Sequence, residues 1–156
     1  MMSRGERLPA MHGEFLTGRT AVLPDVASGR IAILLLGFTY DARYAVEEWA
    51  RHFALFKNDP RVTFYEIPMI DGLARLGKWF IDNGMRRGTP ESDYERVITV
   101  YGGTDPWKRL VDFRDPKAAY LILLDRDGSV VWNYSGAYDH VAYRRLASEI
   151  ADLLGS

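Results

Sequence analysis

The chemistry open to this chain is limited first by a residue type that it lacks. Its 156 residues include no cysteine, so it has no thiolate nucleophile and no thiolate ligand for a metal. The three histidines, His12, His52 and His140, do not have the spacing that places two ligands on one turn, and we expect no metal and no cofactor. No serine lies in a Gly-x-Ser-x-Gly elbow. We therefore expect that the protein is not an enzyme.

A polar and aromatic loop after the first strongly apolar run is the first candidate site. It contains Thr39, Tyr40, Asp41, Arg43 and Tyr44. Asp41 and Arg43 could bind an anion, or form a polar pair at the start of a helix. The alternative is that Asp41 caps this helix by accepting from its first backbone N–H groups. A further alternative, Asp41 as a general acid or base, requires a titratable partner and a cleft.

A second candidate site is a cationic segment in the middle of the chain. Arg86 and Arg87 follow Lys78 and Trp79 at the end of a predicted helix. Paired arginines can bind a carboxylate or a phosphate of a partner. Cations at the last turn of a helix also favour its dipole without any ligand, so a partner surface and a solvated helix end are both consistent with the pattern.

The elements that position these residues follow from apolar periodicity. The unbroken apolar run 31–38 indicates a strand buried on both faces. A possible small hairpin around 16–20 precedes it, and a hairpin near the end pairs 119–124 with 129–134 across a Gly turn. The remaining predicted strands are 62–68 and 97–101, and the predicted helices are 42–58, 73–83, 104–111 and 139–154.

This order predicts an α/β fold with a central mixed sheet flanked by helices. We expect one domain over 1–156, with an extended N-terminal arm or hairpin over 1–29, a core over 30–154 and one inserted strand–helix segment. The net charge of −1 gives no field that attracts nucleic acid. No apolar run reaches the roughly 20 residues of a membrane-spanning helix, and no signal peptide is visible. We expect a soluble protein whose compartment and oligomeric state the sequence leaves open.

The order of elements and the segment 121–131 resemble the thioredoxin-like superfamily. The run Leu-Ile-Leu-Leu-Asp-Arg-Asp-Gly-Ser-Val-Val, with the later Gly136, is similar to the closing hairpin of TlpA-type and peroxiredoxin-like proteins. The resemblance implies a Cys-x-x-Cys in loop 39–46, where this chain has no sulfur. It also implies a cis-proline before the hairpin, where this chain has Ala118 and Ala119. We expect a trans peptide there, since a cis bond without proline costs about 3 kcal/mol.

A narrower resemblance links segments 78–90, 119–121 and 132–136 to the ATP-synthase assembly factors of mitochondria. It implies a non-redox assembly factor or chaperone whose partner is a subunit of the ATP-synthase membrane sector, bound through Lys78, Trp79, Arg86 and Arg87. The alternative is a cysteine-free redoxin relative that binds a small molecule or a peptide between 39–43 and 117–119.

Overall fold

The computed structural model of the chain describes residues 2–70 and 95–155. The predicted helix 73–83 and the cationic segment with Lys78, Trp79, Arg86 and Arg87 lie outside these residues. In chain order the strands are β1 (Met11–Phe15), β2 (Thr20–Leu23), β3 (Ile31–Gly37), β4 (Val62–Pro68), β5 (Ile98–Thr99), β6 (Ala119–Leu124) and β7 (Val130–Gly136). The helices are α1 (Arg43–His52), α2 (Asp105–Leu110) and α3 (His140–Leu154).

Strand β3 lies at the centre of a mixed sheet, and all seven of its residues are buried. It pairs in parallel with β4 and antiparallel with β6, and β7 follows β6 at the edge. The hairpin of β1 and β2 forms a second sheet with β5, which pairs with β1. Isolated parallel bridges, Glu66 to Val97 and Met69 to Val100, flank β5. The described strands therefore form two sheets, of order β4-β3-β6-β7 and β2-β1-β5, connected by these isolated bridges.

Alternate residues of β3 supply two apolar layers, one on each face of the sheet. Ile31, Ile33 and Leu35 pack with α1 and α3 on one face, whereas Ala32, Leu34 and Leu36 pack with Trp107 of α2 and with the β1–β2 hairpin on the other. Burial on both faces is the reason that the strand reads as an unbroken apolar run. The predicted mixed sheet with flanking helices is confirmed.

One local prediction differs from the structure. The helix predicted over 42–58 is divided: α1 ends at His52, and a 3₁₀ helix continues over Ala54–Asn58. The winding tightens at Phe53, whose backbone N–H donates to Ala50 O and whose ring is fully buried against Phe64. Helix α2, Asp105–Leu110, lies within the predicted range 104–111. The hairpin near 16–20 forms as expected, and with β5 it makes a second, three-stranded sheet.

Candidate functional site

The loop after β3, residues 39–44, meets the segment before β6, residues 116–119. Because β6 runs antiparallel to β3, with Tyr120 opposite Leu36, the chain enters β6 beside the point where it leaves β3. The Thr39 hydroxyl spans the two segments by donating to the backbone carbonyl of Pro116. The sheet register thus brings together the two regions that the sequence predicted as one site.

Thr39, and not Asp41, accepts a hydrogen bond at the start of the helical region. The backbone N–H of Ala42 donates to Thr39 Oγ1 at 3.2 Å, and Thr39 is the N-cap of a 3₁₀ turn over Tyr40–Ala42 that leads into α1. The Asp41 side chain is 65 % exposed and makes no cap bond. The capping role considered for Asp41 is therefore wrong, because the preceding 3₁₀ turn moves the first free N–H group within reach of Thr39.

Arg43 is the first residue of α1 and is only 5 % exposed. Its guanidinium carbon lies 3.6 Å from the ring centroid of Tyr40 and 4.0 Å from that of Tyr44. Arg43 donates to the backbone carbonyl of Tyr40 at 3.0 Å and to the hydroxyl of Tyr44. Its nearest contact with Asp41 is 4.0 Å, at the limit of an ion pair. Two aromatic rings thus hold a cation at a helix N-terminus.

This arrangement is unusual because the positive end of the helix dipole disfavours a cation. Cation–π contact with two rings and two hydrogen bonds to oxygen offset that cost. One donor, Nε of Arg43, is buried without a hydrogen-bond partner. An arginine keeps its proton at any physiological pH and cannot act as a general base. The Arg43 guanidinium is therefore suited to binding or to structural support and not to proton transfer.

Ala118 and Ala119 pack in the core and present no functional group to a ligand. They are 4 % and 0 % exposed, and their side chains enter the two opposite core layers. The cis peptide found among the described residues is Leu23–Pro24, so the bond between the two alanines is trans as predicted. Of the predicted loop residues, Asp41 and Tyr44 offer the most surface, with Tyr44 55 % exposed.

The frame behind the loop depends on contacts that no local pattern predicts. Trp49 of α1 is fully buried and donates from Nε1 to Gly136 O of β7 at 3.2 Å. The Tyr120 hydroxyl accepts from the backbone N–H groups of Arg114 and Asp115 at 3.0 and 3.1 Å, which fixes the chain just before Pro116. Sequence reasoning missed Tyr120 and Pro116, because a tyrosine in an apolar strand and a loop proline carry no signal of this role.

Comparison with known proteins identifies the architecture. No protein-family model matches the chain, and no curated protein matches it in sequence. Among solved structures, a Chlorobium tepidum protein assigned as a thiol:disulfide interchange protein DsbE superposes with a TM-score of 0.69 at 15 % identity, covering 99 % of both chains. This chain has a thioredoxin-like fold.

Two further structures share this thioredoxin-like fold. A peroxiredoxin-like protein from Aquifex aeolicus gives a TM-score of 0.65 at 13 % identity over 97 % of this chain and 88 % of its own. The thioredoxin domain of a thiol-disulfide oxidoreductase from Bacteroides vulgatus gives 0.59 at 18 % identity over 85 % and 89 %. Because the present chain has no cysteine, it has the fold of these proteins without the thiol on which disulfide exchange depends.

The described residues show no group of three or more histidine, aspartate or glutamate side chains that could hold a metal ion. Over the same ranges, 2–70 and 95–155, no helix has the length and apolar character needed to cross a membrane.

Proposed function

We propose that this chain is a non-redox thioredoxin-like protein that binds another protein, with the loop 39–44 as part of the contact surface. The observation that carries the proposal is the burial of Arg43 at the first position of α1. The redox relatives place their reactive cysteine at a helix N-terminus, where the dipole lowers the thiol pKa. Here a buried guanidinium fills the start of α1.

The chemistry of the loop favours a protein partner. Tyr44 is exposed, and its ring and hydroxyl are both in contact with the buried Arg43 guanidinium. A tyrosine held in one position loses little entropy on binding, and tyrosines are common in the centre of protein interfaces. The Thr39 hydroxyl donates to Pro116 O across the two segments. This bridge supports a continuous surface at the loop over the alternative, a groove for a small molecule or peptide.

The class of partner comes from the sequence resemblance alone. Segments 78–90 and 132–136 are similar to the assembly factors of the mitochondrial ATP synthase, which implies a membrane-sector subunit as the partner and a chaperone role. On this proposal Lys78, Trp79, Arg86 and Arg87 provide a second, cationic contact in addition to the loop.

The test is affinity capture with the tagged chain from the membrane fraction of its host, read by quantitative mass spectrometry. We expect ATP-synthase subunits to be enriched with the wild type and lost with the double variant Arg86→Glu, Arg87→Glu. Tyr44→Glu tests the loop. Leu55→Glu is the matched control, since Leu55 is 75 % exposed and lies after α1, outside the loop.

Each outcome bears on a different part of the proposal. Enrichment that Leu55→Glu retains and Tyr44→Glu loses supports the loop as a contact. Enrichment lost only with the arginine variant moves the contact away from the loop. A wild type that enriches no ATP-synthase subunit overturns the assembly role, and a wild type that enriches no protein at all overturns the binding function.

A further inference from the structure

A cleft at the other end of the sheet brings together residues that neither the fold nor the proposed function uses. Its volume is about 320 Å³, and it lies between the β1–β2 hairpin, the start of β4 and the chain that enters β5. The polar residues that line it are Arg19, Arg30, Thr63, Tyr65, Glu95 and Arg96. We name this the arginine cleft. Three arginine residues and one glutamate residue line it.

The floor of the arginine cleft is built from buried polar side chains. Thr63 and Tyr65 of β4 are each 4 % exposed, and both line the cleft. Thr63 and Tyr65 flank Phe64, whose ring packs on the opposite face of the sheet. Because side chains alternate along a strand, both hydroxyl-bearing residues lie on the cleft side of β4. The Tyr65 hydroxyl donates to the backbone carbonyl of Val26 at 3.5 Å, so Thr63 supplies the hydroxyl that can donate to an oxygen atom of an anion.

Arg30 has donors to spare. One of its terminal nitrogens donates to the Tyr65 hydroxyl at 3.2 Å, which orients the side chain over the cleft. A guanidinium carries five N–H donors. No carboxylate among residues 2–70 and 95–155 pairs with Arg30, which lies exposed just before β3.

The guanidinium of Arg19 stacks on the ring of Phe15, which also lines the cleft, whereas that of Arg96 stacks on Phe64 and so lies on the opposite face of the sheet. Arg19 lies 4.9 Å from the ring centroid of Phe15, and Arg96 lies 4.6 Å from that of Phe64. Arg19 also pairs with Glu95 at 2.8 Å across the rim. Stacking fixes the plane of a guanidinium and suits it to bidentate contact with planar or tetrahedral oxyanions.

We propose that the arginine cleft binds a small polyanion through its phosphate or carboxylate groups. Arg30 is the principal ligand, Arg19 adds to the positive field, the Thr63 hydroxyl contacts an oxygen atom of the ligand, and the Tyr65 hydroxyl orients Arg30. The volume suits a small molecule rather than a macromolecule. Glu95 opposes binding, because its carboxylate repels the ligand and occupies Arg19. The arginine cleft lies at the amino ends of β3 and β4, whereas the loop 39–44 follows the carboxyl end of β3, so the two sites are independent.

The test is isothermal titration calorimetry of the whole chain with inorganic pyrophosphate and, separately, with citrate. We expect saturable binding of at least one of them, weakened by added sodium chloride since the contacts are ionic. The two anions distinguish a phosphate ligand from a carboxylate ligand. Absence of saturable binding for both, up to about 10 mM anion, overturns the proposal.

Three variants test the proposal by both the direction and the size of their expected change in anion affinity. Arg30→Gln should weaken binding about tenfold or more by removing a charged pair, and Tyr65→Phe should weaken it less by releasing Arg30. Glu95→Gln should strengthen binding. Arg145→Gln is the matched control, because Arg145 is an exposed arginine of α3 outside the cleft. Equal loss in Arg30→Gln and Arg145→Gln, or weaker binding in Glu95→Gln, would show a general charge effect and refute the site.

Discussion

At the carboxyl ends of β3 and β4, Arg43 is 5 % exposed, and its guanidinium contacts two tyrosine rings and two oxygen atoms of its own loop. At the amino ends of the same strands, Arg30 is exposed and uses one donor on Tyr65. The same side chain is part of the packing in one place and faces solvent in the other. Burial decides which: a buried cation must find its partners within the protein, whereas an exposed one can take them from a ligand.

The largest expected effect separates the two arginines by stability. Arg43→Ala should lower the free energy of unfolding by about 2–3 kcal/mol, since it removes two cation–π contacts and two hydrogen bonds and leaves a void. Arg30→Ala should change it by less than about 0.5 kcal/mol, as exposed substitutions do. Urea unfolding followed by circular dichroism measures both.

A conservative variant then distinguishes charge from shape at Arg43. Arg43→Lys keeps the charge but not the planar group, so we expect it to recover only part of the loss. Equal stability of Arg43→Ala and Arg30→Ala would show that the tyrosine pair does not hold the loop.

A smaller effect is expected at Thr39, which joins the loop to the segment before β6. Thr39→Val removes the acceptor for Ala42 N–H and the donor to Pro116 O, and should cost about 1–2 kcal/mol of unfolding free energy. Thr39→Ser keeps the hydroxyl and should restore most of it. Thr20→Val, at an exposed position in β2, serves as the control in the same urea assay. A loss in Thr39→Ser as large as in Thr39→Val would assign the effect to the methyl group.

The smallest expected effect is the loss of stability at high pH caused by two partly buried tyrosines, Tyr134 and Tyr143, which are neutral at physiological pH. Burial raises the pKa of Tyr134, with a further contribution from the charge of Asp139, and burial also raises the pKa of Tyr143, with Tyr138 adding to it. A raised phenol pKa in the folded state means stability that is complete below the ordinary value of about 10 and is lost as the pH rises through the folded value.

We therefore expect the urea midpoint to fall as the pH rises above about 10. The double variant Tyr134→Phe, Tyr143→Phe cannot ionise at these positions and should show a shallower fall. Identical slopes for the two proteins would exclude these tyrosines as the source.

Much of the fold was accessible to pattern reasoning, because its signals are local. The unbroken apolar run at β3 and the Gly turn before β7 predicted the central strand and the closing hairpin. The division of the helix at Phe53 was missed, since it depends on how that ring packs against Phe64. The site was predicted as a region, but its internal roles were not: Thr39 caps in place of Asp41, and Ala118 and Ala119 are buried.

The sequence alone determined that thiol chemistry is absent, since cysteine content is a property of composition and no fold can supply a sulfur atom. It also determined the α/β order, because apolar period and turn residues act over a few positions. Only the tertiary structure decided what the arginines do. Arg43 is enclosed by neighbours in its own loop, whereas Arg19 and Glu95, 76 positions apart in the sequence, form an ion pair at the cleft that Arg30 also lines. Burial and long-range register, which set both outcomes, are properties of the packed sheet.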